Sequence, residues 1–75
     1  MRPWVVELVG NDRHAYLGYM ESVQNVWMMA RCYKTREGAM RLVKQRLRWA
    51  ARNGWMMAVV KMRRHRQRLR HRERL

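Results

Sequence analysis

The C-terminal segment carries the strongest chemical signal in the sequence. Between residues 61 and 75, eight arginine or lysine residues stand against one acidic residue, a net charge of +7 out of +13 for the whole chain. A guanidinium group can bond two phosphate oxygens at once, so this segment predicts binding to a polyanion, foremost DNA or RNA. Phosphate would also remove the like-charge repulsion that disfavours a helix in the free tail, and we expect the tail to be helical when bound. The predicted contacts in the tail are Arg63, Arg64, Arg66, Arg68, Arg70 and Arg72.

The histidines and the cysteine predict little chemistry of their own. His65 and His71 are six residues apart, whereas a metal pair on a helix needs i,i+4 spacing, and no carboxylate is suitably near them in the sequence. Cys32 has no second thiol for a disulfide or a zinc site, and we expect it to be a small buried side chain on a strand. The acidic residues are scattered, without a pair that a motif would bring together. The sequence therefore predicts no enzymatic activity, no metal, no cofactor and no small-molecule substrate.

Length and composition predict one small folded domain. The chain has 75 residues, of which 48% are hydrophobic, too many for a disordered segment. Charges interrupt each apolar run well before the length of about 18 residues that a membrane span needs. The first residues show no apolar core or cleavage site of a secretory signal. We therefore expect no membrane association and a location in the cytoplasm.

Alternating apolar residues predict four strands around one helix. A turn at residues 10–12 is expected to join the first two strands, and residues 21–25 are expected to form a loop. The predicted strands are residues 3–9, 14–19, 26–34 and 55–62. The resulting β-β-β-α-β order is an α+β domain over residues 1–62, with one helix packed on an antiparallel sheet. The arginine-rich tail follows over residues 63–75.

The predicted helix has a basic solvent face. Thr35 is suited to the N-cap, Gly54 to the left-handed position after the last turn, and the helix is expected over residues 36–53. Apolar residues recur at the spacing of one buried face. The opposite face carries Arg41, Lys44, Arg48 and Arg52. We expect these four cations to contact nucleic acid and to extend the basic surface of the tail into a single track.

The predicted sheet has more apolar surface than one helix can cover. Strands one and four are apolar on both faces, so one face is expected to form a homodimer or a partner interface. The residues predicted for that interface are Trp4, Trp27, Trp55, Met57 and Val59. The alternative is that the loop before the third strand folds over the face.

A short stretch of the chain resembles a known group of proteins. Residues 30–39, with Ala30-Arg31 followed by Tyr33 and by Thr35-Arg36-Glu37, resemble the "A-R-x-aromatic-x-T-R-E-x-A" stretch of small orphan phage and prophage proteins. Strand segments like residues 4–7, 16–18 and 59–60 are also similar. The resemblance implies the same strand and helix order, and a role as an accessory protein that modulates host or phage machinery. It also implies that the cytoplasm is that of a bacterial host. It implies no functional residues, and the arginine-rich tail departs from it.

Two classes of function are consistent with these features. The leading hypothesis is a small phage-type accessory protein that binds DNA or RNA through its tail and its basic helix face. The alternative is a protein–protein modulator that inhibits or redirects a host nucleic-acid enzyme or defence complex, such as a nuclease or a polymerase. A basic structural protein of a virion or ribonucleoprotein particle is a third possibility.

Overall fold

The computed structural model describes residues 2–63, 65 and 69, and it has the predicted α+β architecture. Within these residues, four strands form one antiparallel sheet in the order β3-β2-β1-β4. The strands are β1 (Trp4–Gly10), β2 (Arg13–Leu17), β3 (Val23–Gln24) and β4 (Met56–Lys61). Two helices, α1 (Arg36–Gln45) and α2 (Leu47–Arg52), lie between β3 and β4. Most of the predicted tail lies outside the described residues.

The hairpin of β1 and β2 confirms the predicted turn. Gly10 pairs with Arg13, so Asn11 and Asp12 form the connection. Asp12 has a φ of 56°, a left-handed conformation that aspartate tolerates better than most residues. This turn fixes the register of the hairpin, in which Glu7 lies opposite Tyr16.

The helical region begins as predicted and then breaks. The Thr35 hydroxyl accepts a hydrogen bond from the backbone N–H of Gly38 at 3.0 Å, which confirms the N-cap. The predicted continuous helix over 36–53 is wrong, because the chain leaves helical geometry at Arg46, with φ −106° and ψ 7°. In a regular helix Arg46 would fall within the buried stripe, where a guanidinium is costly to desolvate. Gly54, with a φ of 72°, ends the region as expected.

The third strand is shorter and earlier than predicted. It consists of Val23–Gln24, paired with β2, and lies inside the segment predicted to be a loop. The predicted strand over 26–34 is instead a short 3-10 helix, Trp27–Met29, followed by an extended stretch in which Tyr33 forms an isolated bridge with Trp4. Trp27, Ala30 and Cys32 of this segment pack over the sheet rather than within it, whereas Val26, Met28 and Met29 are exposed.

The two faces of the sheet have different covers. The helix-covered face consists of Val6 and Leu8 of β1 with Ala15 and Leu17 of β2, all buried. Side chains of both helices pack against it: Ala39, Leu42, Val43 and Trp49. The second face carries the alternate residues of the same strands, and its buried members are Val5 and Tyr16, packed with Ala30, Trp27, Cys32, Val60 and Met62. Residues 27–32 therefore serve as a partial cover of the second face.

The predicted apolar interface needs correction. Trp4, Trp55, Met57 and Val59 are partly buried and pack against the helix-covered core, so these four do not form an uncovered apolar face. Trp27 lies on the second face as part of its cover. The packing argument behind the prediction is wrong for the other four, because they help to fill the core beneath the two helices. A homodimer or partner interface stays a prediction. No helix in the described part of the chain is long and apolar enough to cross a membrane.

Candidate nucleic-acid interface and a histidine–carboxylate cluster

The four predicted helix cations all lie at the surface. Arg41 and Lys44 of α1 and Arg48 and Arg52 of α2 are exposed. Between them, Leu42, Val43 and Trp49 pack against the sheet, whereas Leu47 is 57% exposed. None of the four forms an ion pair with a carboxylate within residues 2–63, 65 and 69. Glu37, in the first turn of α1, is one helical turn before Arg41. The rest of this basic face therefore has an uncompensated positive charge.

Two other arginines have structural contacts. The guanidinium of Arg13 lies 3.9 Å from the centre of the Trp55 ring and donates a hydrogen bond to the backbone carbonyl of Asn53. Arg31 lies between two tyrosine rings, 5.2 Å from Tyr19 and 5.1 Å from Tyr33. Cation–π contacts of this kind stabilise the fold. These two arginines are consequently held in place, in contrast to the four helix cations.

The beginning of the tail is on the other side of the sheet from the helices. Arg63 is exposed, and His65 is buried against Glu7 and Tyr16 of the second face. His65 therefore lies on the sheet face opposite the basic helix face. The single basic track expected from the sequence stays a prediction, because most of its tail residues lie outside the described residues. The other predicted tail contacts lie outside the described residues: Arg64, Arg66, Arg68, Arg70 and Arg72.

A polar cluster occupies the second face beside the start of the tail. The Nε2 atom of His14 lies 3.3 Å from one carboxylate oxygen of Glu7, and the Nδ1 atom of His65 lies 3.3 Å from the other. Glu7 is partly buried, His65 is 7% exposed and His14 is at the surface. One ligand atom from each residue lies within 4.8 Å of the others. The Glu7 carboxylate, which is distant from His65 in the sequence, therefore lies beside both His14 and His65 in the fold.

Tyr16 orients the buried histidine. Its hydroxyl forms a hydrogen bond with the Nε2 atom of His65, so both ring nitrogens of His65 have partners. Burial, and secondly the Glu7 carboxylate, raise the pKa of Tyr16 above 10.0. The Tyr16 hydroxyl is accordingly neutral at neutral pH. The rings of His14 and Tyr16 also meet edge to face, with their centroids 5.1 Å apart.

The hairpin register explains how the cluster forms. Glu7 pairs with Tyr16, and Val9 pairs with His14, so Glu7 and His14 are diagonal neighbours on one face. The sequence contained this part of the signal, because the turn at residues 11–12 sets the register and Glu7 is a charged residue within an apolar strand. The position of His65 was not predictable, since it depends on which face the chain crosses after β4.

Comparison of the chain with family models, with curated proteins and with solved structures finds no significant match. What the fold and the surface define is a small α+β domain with a basic helical face and an arginine-rich C-terminus. Its function is inferred from its own residues.

Proposed function

We propose that this chain is a small phage-type accessory protein that binds nucleic acid through its basic helix face and its arginine-rich tail. The observation that carries the proposal is the exposure of Arg41, Lys44, Arg48 and Arg52, none of which pairs with a carboxylate among residues 2–63, 65 and 69. These cations repel one another in the free protein, and phosphate groups relieve that repulsion. The resemblance of residues 30–39 to small phage proteins supports the accessory role.

The basic face is formed by two helices. Arg41 and Lys44 lie on α1, and Arg48 and Arg52 lie on α2, on either side of the break at Arg46. Each of these cations can contact a phosphate of a nucleic-acid backbone. Contacts of this kind read charge rather than base sequence, so we expect binding to generic duplex DNA or structured RNA without strong sequence preference.

The tail contributes separately from the helices. Because His65 lies on the second face, the tail begins on the side of the sheet opposite α1 and α2. Neutralising either region should therefore weaken binding, and neutralising both should weaken it by about the sum of the two free-energy changes, as for distant sites.

Anisotropy titrations of labelled duplex DNA and of a structured RNA, at about 50 and about 200 mM salt, test the proposal. The helix variant carries Arg41→Gln, Lys44→Gln, Arg48→Gln and Arg52→Gln. The tail variant carries Arg66→Gln, Arg68→Gln, Arg70→Gln and Arg72→Gln and keeps His65. The matched control removes the same charge from exposed cations elsewhere, through Arg2→Gln, Lys34→Gln, Arg36→Gln and Lys61→Gln.

We expect wild-type binding to weaken steeply with salt. On duplex DNA, log K should fall by about 0.9 per phosphate contact for each tenfold increase in salt concentration. The helix and tail variants should each show a smaller slope of log K against log salt concentration than the wild type. The control variant should lose less affinity than either of them. Absence of binding at about 50 mM salt would contradict the proposal. Equal losses in the control and helix variants would mean that net charge, and not this face, determines affinity.

A second candidate function rests on a different surface. The segment around β3 exposes several methionines: Met20 is 96% exposed, Met28 71% and Met29 60%. Adaptable, exposed methionines are common on surfaces that bind other proteins. This surface supports the alternative of a modulator that binds a host nucleic-acid enzyme.

A pull-down from nuclease-treated bacterial lysate separates the two functions. The comparison is between the wild-type chain and a variant with Met20→Ser, Met28→Ser and Met29→Ser. Stoichiometric retention of one protein by the wild type, lost in the variant, would favour the modulator. Loss of every bound component after nuclease treatment would favour direct nucleic-acid binding.

A further inference from the structure

The second face of the sheet brings together three side chains that nucleic-acid binding does not require. We propose that Glu7, His14 and His65 form a binding site for one divalent transition-metal ion, best probed with Zn²⁺. The site joins β1, β2 and the beginning of the tail. This proposal is independent of nucleic-acid binding and can fail or succeed without it.

The distances between donor atoms suit a single ion. In a tetrahedral site with metal–ligand bonds of about 2.1 Å, neighbouring donor atoms are about 3.4 Å apart. The His14 nitrogen lies 3.3 Å from one Glu7 oxygen, and the His65 nitrogen lies 3.3 Å from the other. With one ligand atom from each residue, the three atoms lie within 4.8 Å of one another. Bringing them to the tetrahedral donor separation of about 3.4 Å therefore requires a movement of no more than about 1.5 Å. The exposed ring of His14 can supply this movement by rotation.

The surroundings of His65 are those of a metal ligand. A ligating histidine usually forms a hydrogen bond through its other ring nitrogen, which fixes the ring orientation. The Nδ1 atom of His65 faces the Glu7 carboxylate, and its Nε2 atom bonds to the Tyr16 hydroxyl. Tyr16 is buried and belongs to the core of this face. It is therefore a positioning residue for the proposed site.

The donor set selects a class of metal. Two imidazole nitrogens and one carboxylate suit Zn²⁺ and its transition-metal neighbours, whereas Mg²⁺ and Ca²⁺ prefer sites made of oxygen ligands. Three protein ligands leave one tetrahedral position for water or another group. We therefore expect binding of Zn²⁺ and Co²⁺ and no binding of Mg²⁺.

Metal binding should also stabilise the fold. An ion that binds the native state more tightly than the unfolded chain raises its stability with concentration. Here the ion would connect residues 7 and 14 of the hairpin to residue 65 beyond β4. We accordingly expect Tm to rise when Zn²⁺ is added to the chelator-treated full-length chain, and to remain unchanged with Mg²⁺.

The first measurement is a titration of the metal-free full-length chain with Zn²⁺ against a chromophoric chelator. The expected result is one equivalent bound at micromolar protein concentration. Glu7→Gln and His65→Gln should each weaken binding by more than about tenfold, and Tyr16→Phe by about tenfold, as for partners of ligating histidines. Two controls should bind like the wild type: His71→Gln, which removes a histidine six residues further along the tail, and Cys32→Ser, which removes the thiol.

Cobalt provides a second readout that does not depend on variants that fold. Co²⁺ bound by the wild-type chain should give the intense visible bands of tetrahedral coordination, without the sulfur charge-transfer band that a Cys32 ligand would produce. Zn²⁺ should displace it at one equivalent. Absence of stoichiometric Zn²⁺ binding by the wild type would overturn the proposal. So would equal weakening by His71→Gln and His65→Gln, because the tail would then chelate without the cluster.

Discussion

The two faces of the sheet are organised on different physical grounds. The helix-covered face buries Val6 and Leu8 beneath two helices, and its contacts are apolar and non-directional. The second face combines apolar residues with the cluster of Glu7, His14 and His65. The first arrangement tolerates changes that keep volume and hydrophobicity, whereas the second requires each partner to be present.

Within one small sheet, the helix-covered face mainly stabilises the fold, and the second face holds the polar cluster. Burial on the helix-covered face supplies most of the driving force, because it removes large side chains from water. Polar groups on the second face add little net stability but are costly when a partner is lost. The helix-covered face therefore contributes the main hydrophobic core, and the second face brings together polar residues that are far apart in the sequence.

The largest expected effect comes from the helix-covered face. Leu8 is 0% exposed, and Leu8→Ala should lower the free energy of unfolding by about 2–5 kcal/mol. A domain of this size has a total stability of only about 4–11 kcal/mol, so the variant would lose a large share of it. The neighbouring residue on the second face, Val9, is 38% exposed, and Val9→Ala should cost less than about 1 kcal/mol. Urea denaturation measures the free energy of unfolding of both variants. Similar losses in the two would contradict the expected difference between the two faces.

Two tyrosines, one from each face, offer a sharper comparison. The Tyr16 hydroxyl bonds to His65, so Tyr16→Phe leaves a buried ring nitrogen without its partner and should cost about 1–3 kcal/mol. The Tyr33 hydroxyl is buried and has no hydrogen-bond partner among the residues that the structure describes, so Tyr33→Phe should be neutral or slightly stabilising. Denaturation of both variants in the presence of a chelator tests this order. The reverse order would show that the second face does not depend on its polar contacts.

The same contrast decides what could be predicted from the sequence. Apolar alternation in β1 and β4, the Thr35 cap and the Gly54 turn depend on neighbouring residues, and these predictions are confirmed. The cluster involves residues 7, 14 and 65, which local spacing cannot bring together. The third strand was misplaced because residues 26–30 are apolar enough for a strand, yet their role is to cover the second face. The break at Arg46 was missed because the helical periodicity continues across it.

The smallest expected effect is a change in the free energy of unfolding at high pH. It reports whether water reaches the buried Tyr33 hydroxyl of the helix-covered face. Burial is the main cause that raises the pKa of Tyr33 above 10.0, and the nearby Arg31 partly opposes it. Above pH 10.0 the unfolded chain releases this proton while the folded chain retains it, so stability decreases as pH rises. The contribution of the neutral Tyr33 side chain to stability is fully present below pH 10.0, and it is lost as pH rises through the pKa of Tyr33 in the folded chain.

Urea denaturation at several values between about pH 9 and about pH 11 measures this loss in the wild type and in Tyr33→Phe. Lysines and other tyrosines titrate in both proteins, so the difference between the two slopes isolates Tyr33. We expect the variant to lose less stability over this range, and the absorbance of tyrosinate should show one fewer late-titrating group. Equal slopes would mean that water reaches the Tyr33 hydroxyl, and the helix-covered face would then be less dry than the burial of this residue indicates.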